Sequence, residues 1–551
     1  MKNNKTKLII SIVLAVVVAA VAVLAIVNCK PKSGIEEVEG KTNIRVSAYN
    51  GGLGKEWLEI AAKKFEEKYA ETEFESGKKG VAVHVTDCEN ASMLESQSLK
   101  DNVYFTELFD YYTWVNLGKV ADITDVVTGS LNEKFGEDDT IENKLDKQFK
   151  DFMTAKDGKY YAIPFYDGFT GFVYDVDWFA EKGYFFKDGG GFTGDTTKLS
   201  AGPDGKKGTS DDGMPTTYDE FAQLLERIRS DGGTPLLCGE SNAMDYWIKL
   251  ATSYWSNYEG KESMLKNWTL EGTFDMVTSV SGDTVTTQKY TIDNTDATTT
   301  AKSVKNLQKQ PGKYYALKFI DDVLCDNPRN YTSMNYLNAQ SALIQTGIGQ
   351  TGANSYSMIL DGIWWENEAD LNDAFTTAAT LDLNYDPTSG EYKQTRNFKM
   401  MPIPRAPGQS TENYKQTLYS DNQAFCFISS DTTGAKLDVA KLFLQFVHTD
   451  EQLSAFTAKT SITRCLNYEI TDADKETMTC FGKYMVEMKK NSDIVYPYSG
   501  NDYYLRNSQQ FIIGKWGWNS KINGIVNQNP FTTISKGTTA DAYFKGLYDA
   551  H

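Results

Sequence analysis

Aromatic and polar side chains lie together at the ends of several predicted strands. The C–H faces of a sugar stack on aromatic rings, and its hydroxyl groups need fixed hydrogen-bond donors and acceptors. In α/β proteins the loops that follow parallel strands converge on one edge of the sheet, where ligands bind. The candidate ligand-binding residues are Asn50, Glu107, Asp110, Tyr111, Tyr166, Asp167, Asn242, Tyr246, Trp247, Trp364, Trp365 and Asn422.

Most other aromatic residues are expected in the core. The chain contains 32 Tyr, 28 Phe and 10 Trp, and large rings bury well. Trp57, Trp114 and Trp178 occur within helical patterns, which predicts packing against the rest of the protein. For Trp365 both interpretations stay open, because it directly follows Trp364 and can turn toward the core.

A glycine-rich segment, 202–213, carries a second group of candidate ligands. Its carboxylates, Asp204, Asp211 and Asp212, lie among glycines that allow tight turns. Hard oxygen ligands in a flexible loop suit Ca²⁺, although the spacing does not match an EF-hand. The segment predicts either a structural calcium site or a solvated inserted loop, and no other cofactor is expected.

The composition excludes several classes of protein. A chain of 551 residues with a net charge of −18 repels phosphate backbones, so no nucleic-acid partner is expected. Only three histidines occur, His84, His448 and His551, which rules out a His-rich metal site and disfavours a Ser-His-Asp triad. The length predicts two to four domains.

The N-terminus has the pattern of an export signal. Lys2, Lys5 and Lys7 precede an apolar run over 8–27, which is long enough to span a bilayer. Residues 24–29, Leu-Ala-Ile-Val-Asn-Cys, resemble a bacterial lipoprotein cleavage site. We therefore expect an export segment over 1–28, lipidation of Cys29 and a tether over 29–42, with an uncut anchor as the alternative. Either outcome places the protein at the extracytoplasmic face of the membrane.

The remaining cysteines are scattered and form no C-x-x-C motif. They predict buried free thiols, with one or two disulfides of undetermined pairing as the alternative in an exported protein. These residues are Cys88, Cys238, Cys325, Cys426, Cys465 and Cys480.

Strands alternate with helices along much of the chain, which predicts an α/β fold with parallel strands. Asp157-Gly158 predicts the turn of a hairpin, and Thr217 with Glu220 predicts a capping box at a helix start. Two segments, 186–214 and 268–312, lack clear periodicity and are interpreted as insertions. Strands near the candidate residues are predicted over 44–49, 80–86, 102–108, 234–238 and 424–429, and the segment 356–365 is predicted as a buried strand that ends in a turn.

Short motifs then occur in an order that is characteristic of one protein family. They are Phe65–Tyr69, Gly118–Thr124, Asp157–Pro164, Tyr174–Gly183, Pro215–Phe221, Ser357–Trp364, Met401–Pro404 and Ala440–Phe446. Over roughly residues 43–470 the chain resembles the extracellular solute-binding proteins of bacterial ABC importers, in the carbohydrate-binding family that includes maltose-binding protein. The C-terminal part resembles this family less.

The resemblance implies a type II periplasmic-binding-protein-like fold with two interleaved lobes and a hinge. Lobe 1 is expected to contain 43–162 and 403–450, and lobe 2 to contain 163–402 and 451–551. Sugar would lie between the lobes, which close on it and are presented to a membrane permease. The resemblance also places a stacking tryptophan at Trp364 and a ligand loop at 106–111.

The leading hypothesis is therefore a non-enzymatic, monomeric protein that captures an oligosaccharide and delivers it to an ABC permease. An exported glycoside hydrolase shares the acidic, aromatic-rich composition, and Glu107, Asp110 and Asp167 could supply its carboxylates. A surface glycan-capture protein without a transporter suits the membrane tether equally well. These two alternatives stay open at the level of the sequence.

Overall fold

The computed structural model describes residues 36–239, 243–282, 284–325, 331–348, 355–412, 414–421, 423–507, 534 and 537–549. The candidates Asn242 and Asn422 lie outside these residues, as do Cys29 and the predicted export segment. Within the described ranges, no helix combines the length and the apolar character needed to cross a membrane.

The strands are numbered in chain order. They are β1 Thr42–Ala48, β2 Val81–Asp87, β3 Val103–Thr106, β4 Ile163–Pro164, β5 Thr170–Asp175, β6 Phe185–Phe186, β7 Phe192–Thr193, β8 Thr234–Gly239, β9 Thr273–Ser281, β10 Thr284–Thr291, β11 Tyr331–Met334, β12 Tyr356–Gly362, β13 Phe398–Met400, β14 Thr417–Tyr419, β15 Phe425–Ile428 and β16 Asp493–Val495.

The helices occupy most of the chain between these strands. The α-helices are Glu56–Lys68, Ala91–Leu94, Tyr111–Asn116, Thr124–Thr128, Asn132–Phe135, Ile141–Lys144, Lys147–Met153, Val176–Lys182, Tyr218–Ser230, Ala243–Thr269, Ala297–Leu307, Pro311–Lys318, Tyr336–Ile344, Trp365–Leu371, Ala374–Leu381, Ala435–Val447, Asp450–Thr460, Asp472–Thr477, Cys480–Asn491, Asp502–Asn507 and Ala540–Asp549. A π-helix spans Phe319–Cys325, and 3₁₀ turns span Pro387–Ser389 and Tyr392–Thr395.

Two five-stranded sheets share one arrangement. The first has the order β2-β1-β3-β15-β4 and the second β11-β8-β12-β5-β13. In each sheet the first three strands are parallel, and the fourth, β15 or β5, is antiparallel to both of its neighbours. The α/β fold class and the two lobes that the sequence predicts are thus present.

Strand β15 joins the first sheet from a point in the chain beyond every strand of the second sheet, so the lobes are interleaved. Three stretches pass between the sheets, over 165–169, 401–424 and 461–479. Because carboxyl ends of parallel strands meet at one sheet edge, the loops after β1, β3, β8 and β12 are the ones that position a site.

The structure differs from the predicted lobe boundaries in two places. Helix Asp450–Thr460 packs on helix Glu56–Lys68 of the first lobe, where the rings of Trp57 and Phe456 lie 4.9 Å apart. Strand β14 instead pairs with β16 and packs against helix Ala243–Thr269 of the second lobe. Neither boundary has a composition signal, because the lobe that each segment joins depends on which distant segment it packs against.

Local signals predicted several elements well. Thr217 caps helix Tyr218–Ser230 by accepting a hydrogen bond from the Glu220 amide at 3.3 Å, while the Glu220 carboxylate bonds the Thr216 amide. At Asp157-Gly158 the predicted turn is present and the short strand β4 follows it. No hairpin forms, because helix Lys147–Met153 precedes the turn and β4 pairs with β15 instead.

The two insertions carry small structures of their own. Segment 186–214 contains the short β6–β7 pair and a series of glycine turns. Segment 268–312 forms the long antiparallel hairpin β9–β10 followed by helix Ala297–Leu307. The described thiols of Cys88, Cys238, Cys426, Cys465 and Cys480 are free.

Candidate functional site

One wall of the candidate site comes from the first sheet. Glu107 directly follows β3, and Tyr166 follows β4. The Tyr166 hydroxyl donates a hydrogen bond to Oε1 of Glu107. No hydrogen bond or ion pair in the described structure engages the other carboxylate oxygen of Glu107, which is therefore available to a ligand.

The opposite wall comes from the second sheet and centres on Trp364, which follows β12. Its indole N–H donates to the Tyr246 hydroxyl oxygen at 3.1 Å, and the two rings lie 6.0 Å apart. The Lys249 ammonium lies 5.3 Å from the Trp364 ring centroid and 6.0 Å from that of Tyr246. This wall combines an aromatic platform with a cation, and that ammonium makes no hydrogen bond or ion pair within the described structure.

The loop after β1 closes against this aromatic wall. The Gly52 carbonyl accepts a hydrogen bond of 2.7 Å from the Asn367 side chain, which joins the two lobes directly. A Cβ atom at Gly52 would lie 3.3 Å from Trp364, so the backbone itself packs on the indole. Asn50 is exposed and shapes this loop, because its side-chain oxygen accepts from the Gly54 amide at 2.9 Å.

A buried polar network lies behind Trp364. The Gln340 side-chain amide donates to Asp361 at 3.1 Å and to Glu368 at 2.7 Å. Asp361 also accepts from the Gly362 amide at 2.7 Å. The Gln340 side chain therefore joins two carboxyl groups, Asp361 and Glu368.

The electrostatics of the site follow from burial of its carboxyl groups. Burial, with repulsion from Glu368, raises the pKa of Asp361 to about 7. Burial also raises the pKa of Glu107, although the Tyr166 hydrogen bond and the Lys249 charge oppose it. The pKa of Glu368 is raised by burial and opposed by the Gln340 hydrogen bond. The site thus holds several weakly acidic carboxyl groups beside one lysine.

Sequence reasoning missed four residues of this site: Lys249, Gln340, Asp361 and Glu368. Lys249 follows Tyr246 by three positions on a helix, and Glu368 follows Trp364 by four, so helical spacing could have indicated both. Asp361 directly precedes the Gly362 turn. No sequence signal points to Gln340, which lies on a different helix.

Four other predicted site residues occupy structural positions. Asp110 caps helix Tyr111–Asn116, with its carboxylate bonded to Thr113. The buried Tyr111 donates its hydroxyl to the Met153 carbonyl at 2.7 Å. Trp247 and Trp365 are buried, and Trp365 packs edge to face on Phe398 at 4.9 Å. Of the two readings for Trp365, the structure favours core packing.

Asp167 lies at the centre of the crossing segments and has no exposed surface. Its carboxylate accepts hydrogen bonds from Thr463 at 2.7 Å, Tyr496 at 2.9 Å and the Lys489 ammonium at 2.8 Å. Ser420 lies beside Asp167, and its hydroxyl accepts a hydrogen bond from the Gly168 amide at 3.0 Å. Asp167, Ser420 and Thr463 belong to the three different crossing segments, which therefore meet at this point. We therefore assign Asp167 to the junction between the lobes.

The three aspartates of segment 202–213 bond within their own loop. Asp211 accepts from Thr209 and from the Asp204 amide, and Asp212 accepts from the Gly208 amide. Across the described residues, no group of three or more His, Cys, Asp or Glu side chains is arranged to hold a metal ion. Calcium binding at this loop stays a prediction, which the thermal stability in Ca²⁺ compared with Mg²⁺ would test.

Solved structures with the same architecture are proteins that bind solutes. A chitin oligosaccharide binding protein matches with a TM-score of 0.50 and 15% identity, over 90% of this chain and 98% of its own. Maltose-bound MalE3 of T. maritima matches with a TM-score of 0.50 and 11% identity, over 92% of this chain and 98% of its own.

The chain has the fold of the solute-binding proteins. At these identities the likeness concerns the fold alone. No family model matches the sequence, and no curated protein matches it. In the solute-binding-protein fold the cleft between the lobes is the place where strand ends of both sheets face each other, and it is there that Glu107 and Trp364 lie.

Proposed function

We propose that this protein is a non-enzymatic, extracytoplasmic substrate-binding protein that captures an oligosaccharide between its lobes. The observation that carries the proposal is the pairing of an aromatic platform on one lobe with a carboxylate on the other. Trp364 offers a ring that is only partly buried, and Glu107 has an unused oxygen. Sugars need such a combination of stacking surface and acceptors.

The contact between the lobes supplies the mechanism of capture. The Asn367–Gly52 hydrogen bond and the packing of Gly52 on Trp364 form only when the lobes approach. A sugar stacked on Trp364 and bonded to Glu107 gains contacts with both lobes in the same closed arrangement. Ligand binding would therefore shift the population toward closure about the crossing segments.

The membrane parts of the proposal rest on the sequence. A lipid on Cys29 would hold the protein at the outer face of the membrane, and the closed form would be presented to an ABC permease there. Metabolic labelling with an alkyne-tagged palmitate should label the full chain and fail to label the Cys29→Ala variant. Equal labelling of both would contradict the lipid anchor and leave saccharide binding unaffected.

Saccharide binding is tested with purified full chain in detergent. We expect maltose, maltotriose or chitin oligosaccharides to change the tryptophan fluorescence and to raise the melting temperature, because a ligand of the folded state stabilises it. Trp364→Ala should abolish both responses. Trp178→Ala is the matched control, since its ring also lies beside a lysine, with Lys182 at 4.3 Å, but outside the cleft.

Three outcomes count against the proposal. No response to any saccharide would contradict it, as would an equal loss of response in Trp364→Ala and Trp178→Ala. Release of smaller sugars during prolonged incubation, lost on Glu107→Gln, would replace the binding protein with a glycoside hydrolase.

A further inference from the structure

On the basis of the proposed function, we propose that Lys249 makes the cleft selective for acidic saccharides, whose carboxylate group pairs with its ammonium. Lys249 lies on helix Ala243–Thr269, three positions after Tyr246. Its ammonium is 5.3 Å from the ring centroid of Trp364 and 6.0 Å from that of Tyr246. A sugar that stacks on Trp364 therefore has its substituents beside a positive charge.

The Lys249 ammonium differs from those of other lysines that are shielded from water. Lys144, Lys393 and Lys489 are also buried or partly buried, and each pairs with a carboxylate. Lys249 is partly buried as well, but no hydrogen bond or ion pair engages its ammonium in the part of the chain that the structure describes. Shielding a charge from water is costly unless a partner compensates it.

The carboxyl groups of the cleft bond to neutral donors instead of to this lysine. Glu107 accepts a hydrogen bond from the Tyr166 hydroxyl. The Gln340 side chain donates to Glu368 at 2.7 Å and to Asp361 at 3.1 Å. Because each of these acids has another partner, the anionic acceptor that the ammonium lacks is left for the ligand to supply.

The ammonium and the sugar also share one aromatic surface. The negative face of an aromatic ring attracts a cation, which partly replaces the missing ion pair of Lys249. A sugar that stacks on Trp364 takes up part of this surface, so the ammonium needs another partner. A neutral sugar offers hydroxyl groups, whereas an acidic sugar offers a carboxylate, whose charge-assisted hydrogen bonds are about twice as strong. The acidic sugar is therefore the better replacement for the ring.

The carboxyl groups of the two walls determine how an acidic ligand lies in the cleft. Burial raises the pKa of Glu107 and of Glu368, so both repel a ligand carboxylate less than exposed glutamates would. Glu107 lies on the opposite lobe from Lys249 and has an oxygen available for sugar hydroxyl groups. The ligand carboxylate should therefore lie toward Lys249, and the hydroxyl groups toward Glu107.

Matched pairs of acidic and neutral saccharides test this preference in calorimetric titrations of the full chain in detergent. The pairs are trigalacturonate with its methyl ester, and a hyaluronan tetrasaccharide with its carboxyl-reduced form. We expect each acidic member to bind about tenfold more tightly, which corresponds to about 1.4 kcal/mol. Its advantage should shrink as the salt concentration rises. Lys249→Met should reduce the preference to about twofold or less, and Lys249→Arg should retain it.

Lys182→Met is the matched control variant. The Lys182 ammonium lies 4.3 Å from the ring centroid of Trp178, on the same lobe but outside the cleft. Its substitution removes one positive charge and one contact between a cation and a ring without changing the site. The preference for the acidic member should therefore stay as in the wild type. An equal loss of preference in both methionine variants would assign it to net charge and overturn the inference.

Failure of this inference is distinguishable from failure of the proposed function. Neutral members that bind as tightly as their acidic partners, or more tightly, would overturn the inference and leave saccharide capture intact. A preference that persists in Lys249→Met would overturn it too. Tighter binding of a chitosan trimer, whose amino groups are cationic, would overturn it in favour of amino sugars held by Glu107. If no saccharide of any charge binds, both the proposed function and this inference are contradicted.

Discussion

Substitution of Asp167 by asparagine should destabilise the protein more than any exposed charge substitution. Asp167 is completely buried, and its partner Lys489 is largely shielded from water. Burial disfavours the Lys489 ammonium, but Asp167 and the nearby Tyr468 and Cys465 together hold its pKa above the ordinary value. Asp167→Asn removes the charge that compensates this ammonium.

The size of the effect follows from the loss of a buried pair. Leaving one partner of such a pair uncompensated costs about 3–5 kcal/mol. Unfolding entropy of about 2 cal/mol/K per residue then predicts a fall in melting temperature of about 3–4 °C for a chain of this length. The matched control is Asp87→Asn, because Asp87 pairs with Lys55 at 3.0 Å on the surface. An exposed pair contributes about 0–1 kcal/mol, so its melting temperature should change by less than about 1 °C.

Differential scanning calorimetry of both variants measures the contrast. A second step adds Lys489→Met to Asp167→Asn, which removes the uncompensated ammonium and should recover part of the loss. The reasoning is refuted if Asp167→Asn melts no lower than Asp87→Asn, or if the double variant is less stable than Asp167→Asn alone.

Three further predictions concern the cleft. Gly362→Ala should lower saccharide affinity about tenfold or more, since its methyl group would overlap the Trp364 ring; calorimetric titration measures this, and wild-type affinity would contradict it. Asn367→Ala removes the hydrogen bond to the Gly52 carbonyl and should weaken saccharide binding about two- to tenfold, because closure of the lobes becomes less favourable. Solution scattering should show a larger radius of gyration for this variant. An unchanged radius and affinity would show that this hydrogen bond does not hold the lobes together. The pKa of Asp361 is about 7 in the folded protein and near 3.8 in the unfolded chain. The stabilisation that protonated Asp361 provides is therefore fully present below pH 4. As the pH rises to 7, the free energy of unfolding falls by up to about 1.4 kcal/mol per pH unit. Urea unfolding between pH 4 and 8 should therefore show a smaller decline in Asp361→Asn than in the wild type, and parallel declines would refute that assignment.

The fold could be predicted well because its signals are local. The strands at β1, β3 and β12, the capped helix at Tyr218 and the turn before Trp364 each depend on patterns of a few residues. The order of the motifs along the chain then indicated two interleaved lobes. These parts need no knowledge of which distant segments meet.

The candidate site could be predicted only in part. Glu107, Tyr166, Tyr246 and Trp364 were found because they follow strands, and strand ends converge by the geometry of the fold. Asp167 also follows a strand, but its burial depends on segments about 300 residues later in the chain, so no local pattern separates it from the ligand-binding candidates. Gln340 was missed because its partners, Asp361 and Glu368, lie on other elements that follow it in the chain.

The central claim is that a saccharide binds between Trp364 and Glu107. The most direct measurement is a crystal structure of the protein grown with the tightest saccharide of the panel. The account predicts a sugar ring stacked on the Trp364 indole, with a hydroxyl group bonded to the Glu107 carboxylate and the Asn367–Gly52 bond retained or bridged by the ligand. A saccharide bound elsewhere, with the cleft between these two residues empty, would contradict it.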